Sequence, residues 1–152
     1  MKKLAIIFVS VIVVVIALAK LSEPGAVTPP DNQKELAAAS AFGEAVTAGT
    51  KATAKWDGIR VEEADGRNYR LILMYKSDPS NQAEVGRDTK AVVQAALDEL
   101  VKQGRRPAEE QLSVTAWAHK PEQGTTGQAL TRVYGRSVYD YNNDSIQYKP
   151  KQ

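Results

Sequence analysis

Cysteine is absent from all 152 residues. That absence excludes disulfides, thiolate zinc sites, cysteine nucleophiles and a lipid carried on a cysteine. It leaves an oxidising compartment open, because such compartments permit disulfides without demanding them. Histidine is nearly absent: His119 stands alone. A catalytic histidine needs a nucleophile or carboxylate beside it, and a metal-bound one needs partner ligands. No spacing of His, Asp or Glu supplies either, so the expectation is no metal, no cofactor and no enzyme.

Phosphate-binding and calcium-binding loops are lacking too. Gly124-Thr125-Thr126-Gly127 is not followed by Gly-Lys-Ser/Thr. Asp140 to Asp144 places oxygens at alternate positions, but Ser145 stands where a calcium loop turns on glycine, and Lys151 where it closes on glutamate.

Charge imbalance is lacking once it is located. The formal net charge is +2, and Lys2 and Lys3 account for all of it. From Lys20 onward, 18 basic residues face 18 acidic ones. A neutral domain lacks the basic excess of a general polyanion binder, so no nucleic acid partner is expected.

What is present begins with residues 4–19, sixteen uncharged positions with Ser10 as the only polar side chain. Leu4, Ile7, Phe8, Val13, Ile16 and Leu18 would anchor this segment in lipid. The preceding lysines favour keeping the N-terminus in the cytoplasm and passing the rest outward. Two readings compete. A secretory signal has an apolar core of about 7–15 residues and a small-x-small cleavage site, which Ala17-Leu18-Ala19 supplies. A retained helix needs about 17–25 residues, reached here with Leu21 and with Lys3 and Lys20 snorkelling. The length of the core and the proline-containing stretch behind it favour the anchor.

The expected organisation is a signal-anchor or signal peptide over 1–21, a Pro-rich linker over 22–30 and an extracytoplasmic α+β domain over 31–152. The location expected is the bacterial inner membrane, single-pass, with the domain in the periplasm or outside. The alternative is a secreted or periplasmic protein released by cleavage after Ala19.

In the domain, 31–48 is alanine-rich with a thin apolar face from Leu36, Ala39, Phe42, Gly43 and Val46, expected as a helix. Ile59 and Val61 alternate with charged residues. Asp65-Gly66 then marks a hairpin turn, and 68–76 alternates as a clear strand. Residues 77–82 read as a loop. Residues 87–103 follow the helical template through Val93, Ala96, Leu97, Leu100 and Val101, ended by Gly104 and Pro107. Residues 112–119 alternate again, 120–128 read as a connection, 129–139 as a long strand with a bulge at Gly135, and 145–149 as a closing strand. The fold class expected is therefore α+β: two helices packed on one face of a mostly antiparallel four- to five-stranded sheet.

If Leu71, Leu73, Val114 and Ala116 face the helices, the other face carries Arg70, Met74, Trp117 and His119. The long fourth strand adds Arg132, Tyr134 and Arg136 if those face outward too. Arginine and aromatic residues are favoured at interface centres. This set is the candidate binding surface, for an envelope protein or for self-association. The competing reading is a solvated sheet face whose long side chains cover one another. The function expected is a membrane-anchored, non-enzymatic accessory domain of the cell envelope. A secreted inhibitor or exclusion factor is the alternative, and an envelope hydrolase built on His119 and scattered carboxylates stands behind both.

Overall fold

A computed structural model describes residues 30–151, and the apolar segment 4–19 and most of the linker lie outside them. No helix among the described residues is long and apolar enough to cross a membrane. The elements are α1 (Pro30–Gly49), β1 (Trp56–Ala64), β2 (Asn68–Tyr75), α2 (Gln82–Lys102), β3 (Ser113–Gln123), β4 (Ala129–Asp140) and β5 (Ser145–Pro150). Two helices pack with a five-stranded sheet of order β1-β2-β3-β4-β5.

The sheet is mixed. β1–β2, β3–β4 and β4–β5 pair antiparallel, whereas β2 and β3 run parallel. Hairpin connections can join only antiparallel neighbours. α2 spans the distance between β2 and β3 and returns the chain to the end from which β2 started, which makes that pair parallel. This refines the expected mostly antiparallel sheet.

Register places Val61, Leu71, Ala116, Ser137 and Tyr148 in one row across all five strands. Both helices touch this row. A Cβ added at Gly43 of α1 would lie 2.9 Å from Val61 Cγ2, so glycine there lets α1 sit close on β1. On α2, Thr89 Oγ1 lies 2.7 Å from Ser137 Oγ, a buried bond between helix and strand. Phe42 of α1 meets Tyr69 with ring centroids 5.2 Å apart. Leu71, Leu73, Val85, Val92, Leu100, Leu112 and Val114 are fully buried between these layers. Each such side chain contributes on the order of 1.5–3 kcal/mol of burial free energy.

α2 starts five residues earlier than its apolar periodicity predicts. Asn81 caps it, accepting at 2.9 Å from the Glu84 N–H. A polar cap and first turn carry no apolar stripe, so periodicity cannot see them. Past the last residue of α2, Lys102, the Gly104 N–H donates to Val101 O, and the Gly104 φ of 82° turns the chain so that Arg105 N reaches back to Leu100 O. Two residues expected on core faces are exposed: Leu36 at 69% and Val101 at 59%. β3 also runs on to Gln123, so the connection expected over 120–128 shrinks to a tight turn closed by Gly124 N on Gln128 O at 2.8 Å.

Two polar clamps hold the ends of the sheet. At one, buried Asp88 of α2 accepts from Trp56 Nε1 at 3.0 Å and from Tyr75 Oη at 2.8 Å, tying the start of β1 and the end of β2 to the helix. At the other, the Arg105 guanidinium reaches Gly66 O at 2.7 Å, Tyr69 Oη at 3.1 Å and Glu110 Oε2 at 2.6 Å, binding the β1–β2 turn to the segment after α2.

Candidate functional site

The row beside the helix-facing one is Arg60, Ile72, Trp117, Arg136 and Lys149. Side chains alternate across a sheet, so these residues occupy the face opposite the helices. Trp117 stands at the centre of the row, on the middle strand. The Arg136 guanidinium carbon lies over its ring, 4.5 Å from the centroid, close enough for a cation–π contact. His119, two residues along β3, presents its ring 6.2 Å from that of Trp117 at a steep angle.

Trp117 separates two hollows. One, of about 330 Å³, is lined by Glu62, Arg70, Ile72, Trp117 and His119. The other, of about 370 Å³, is lined by Trp117, Val133, Gly135, Arg136, Lys149 and Lys151, among others. Ile72, although on this face, is only 1% exposed. Its long neighbours roof it, which is the self-covering expected of a solvated face and also gives the first hollow an apolar floor.

Charge is arranged unevenly across the face. On the β1–β2 side, Arg70 lies 3.8 Å from Glu62 and 3.3 Å from Glu63, and Arg60 lies 3.4 Å from Glu62. On the β4–β5 side, Arg136 and Lys149 stand directly opposite each other, and among the described residues neither has a carboxylate within ion-pairing distance. Burial pushes the His119 imidazole below its ordinary pKa, with a smaller contribution from Arg60, while Glu62 opposes the shift. Among the described residues no group of three or more His, Cys, Asp and Glu is placed to hold a metal ion.

The structure brings Arg70, Met74, Trp117, His119 and Arg136 to one face and separates Arg132 and Tyr134 from them. Ala118 pairs with Gly135, but His119 pairs with Val133, leaving Tyr134 as an extra residue in β4. This bulge reverses the alternation along the strand. Tyr134 therefore packs against the core, its ring 5.8 Å from that of Tyr75, and its hydroxyl donates to Asp78. Arg132 pairs with Lys120 across the ladder and reaches Glu122 at 2.9 Å. Lys120 Nζ lies 2.8 Å from Asp78 Oδ1, and these donors hold the Asp78 carboxyl below its ordinary pKa, Lys120 foremost and then Tyr134. The result is a polar knot on the helix-side face.

Lys149 and Lys151 were not among the sequence-derived candidates. The signal that could have found Lys149 is the Asn142-Asn143 turn: it pairs Asp140 with Ser145, and counting back along the two strands sets Lys149 opposite Arg136.

No family model, curated protein or solved structure matches this chain.

Proposed function

We propose that this chain is a tethered, non-enzymatic binding domain of the bacterial cell envelope, acting as an accessory subunit of an assembly outside the cytoplasm. Residues 4–19 tether it to the inner membrane with the N-terminus inside, and the domain works through the sheet face opposite the helices. The observation that carries this reading is the position of Trp117, half-buried at the centre of that face with a hollow on either side. An aromatic side chain set between pockets and flanked by arginine is the kind of anchor on which interface energy concentrates.

Affinity capture with the full-length chain in mild detergent tests this. Retention of an envelope protein by the wild-type chain and its loss on Trp117→Ala is the expected result. A folded chain that retains nothing overturns the reading. The small-x-small sequence Ala17-Leu18-Ala19 supports a second reading, a secreted inhibitor or exclusion factor. Intact-mass measurement of the exported protein separates the two: a chain beginning at Lys20 has lost the tether.

A further inference from the structure

We infer that the hollow between Trp117, Arg136 and Lys149 is a receptor site for a carboxylate side chain on an acidic segment of a partner protein. The inference rests on the binding reading above and names the chemistry of the partner.

Four of the basic residues on the strands, Arg60, Arg70, Lys120 and Arg132, are matched to carboxylates. Arg136 and Lys149 are the exceptions among the described residues, and they sit directly opposite each other on β4 and β5. Like charges at directly opposed positions repel and disfavour the pairing. An anion bound between them turns that repulsion into two favourable contacts.

The cations are also pre-positioned. The Arg136 guanidinium carbon is held 4.5 Å from the Trp117 ring centroid, so part of the cost of ordering its long side chain is already met in the free protein. Lys151, which also lines the hollow, adds a third positive charge at its rim. Among the described residues no acidic side chain lines the hollow, and its volume of about 370 Å³ accommodates a side chain with its flanking backbone.

The rest of the face selects the kind of anion. Glu62 and Glu63 lie on the same face two strands away from Trp117, and Asp57 lies beside Lys76 at the start of β1. A polyanion lying across the sheet would meet these carboxylates. A protein segment of mixed sequence can place an acidic residue at Arg136 and Lys149 and a polar or basic one at Glu62. Charge complementarity therefore favours a polypeptide over a uniformly charged polymer.

The experiment uses the full-length chain in neutral detergent and a synthetic peptide with glutamate at alternate positions. Its glutamine counterpart and inorganic tripolyphosphate serve as the other probes. The two indole N–H resonances are the readout, because Trp117 lines the site and Trp56 is held by Asp88 away from it. The glutamate peptide should move the Trp117 resonance and leave Trp56 in place. Arg136→Gln with Lys149→Gln should weaken that response by about tenfold or more, the size expected for lost charge-assisted bonds. An unmoved Trp56 resonance in the double variant shows that the fold is intact.

The inference is overturned if the glutamine peptide binds as well, if the double variant binds unchanged, if tripolyphosphate is preferred to the glutamate peptide, or if no probe moves Trp117. Capture of an envelope protein equally by wild type and double variant would overturn this site and leave the binding reading standing. An empty capture beside a responding Trp117 would do the reverse.

Discussion

Asp88 is 5% exposed and serves two buried donors, Trp56 Nε1 and Tyr75 Oη. Burial, and then the bond to Asp88, raises the Tyr75 phenol far above its ordinary pKa, so the hydroxyl keeps its proton and goes on donating. Asp88→Ala strands both donors in an apolar wall. The expected loss is about 2–4 kcal/mol, since a buried unpaired polar group costs about 1–3 kcal/mol, and urea unfolding measures it. Asp88→Asn keeps one acceptor oxygen and should cost less. At the surface, Glu84 is held by Lys55 Nζ at 2.7 Å and by the Ser80 N–H, which lower its pKa from 4.5 to about 2. A carboxylate with a depressed folded-state pKa stabilises the fold above its unfolded value, and that contribution disappears as pH falls through the folded value. The urea midpoint of the wild type should therefore fall towards that of Glu84→Gln as pH drops from about 4.5 to about 2. Curves that stay parallel over that window would show that the Lys55–Glu84 pair contributes nothing.

Among the elements, β5 adds to its ladder with β4 a close fit between Tyr148 and two glycines. A Cβ at Gly86 of α2 would lie 3.0 Å from the Tyr148 ring, and one at Gly135 of β4 would lie 2.5 Å from its hydroxyl oxygen and 3.1 Å from Lys149 O. Tyr148 is thus clasped between helix and bulge, its hydroxyl donating to Gln82 at the start of α2. Gly135→Ala adds an unfavourable backbone angle, φ 156°, to that collision, and should cost about 1–3 kcal/mol as an overpacking defect. Tyr148→Phe, which removes only the hydroxyl, should relieve part of it in the double variant; thermal unfolding of the three variants checks this. The clear alternation of β2 made its helix-facing residues, Tyr69 to Tyr75, readable from sequence, as was the apolar stripe of α2 through Val93, Ala96, Leu97 and Leu100. The bulge itself was visible as Gly135. Its effect on Arg132 and Tyr134 was not, because a bulge reverses the parity of every residue before it and only the pairing partner fixes where the extra residue falls. The parallel pairing of β2 with β3 was equally hidden, since it depends on where α2 delivers the chain and not on either strand's own pattern. Leu36 and Val101 fit a helical period and still face water, because periodicity marks a stripe without saying how far the neighbouring layer extends.

At the scale of the whole domain, β1 with β2 and β3 with β4 and β5 are two groups built from neighbours in sequence, the kind of contact that forms quickly. One ladder joins them: the parallel pairing that sets Tyr69 to Met74 against Val114 to His119, bridged by α2. Ile72 and Trp117 lie side by side in that ladder, so the hollow lined by Arg70, Ile72, Trp117 and His119 straddles the seam between the two groups, and the hollow beside Arg136 and Lys149 lies within the second group. Anything that fills both hollows spans the seam from outside, as α2 spans it from inside. Its binding energy then acts on the step in which the two halves part. Hydrogen exchange should register this as slower exchange for the amides of residues 69–74 and 114–119, while the far edges of β1 and β5 change little. Slowing spread evenly over the sheet would place the bound partner elsewhere. A ligand held across this seam would make the unfolding of the sheet more cooperative than it is in the free domain.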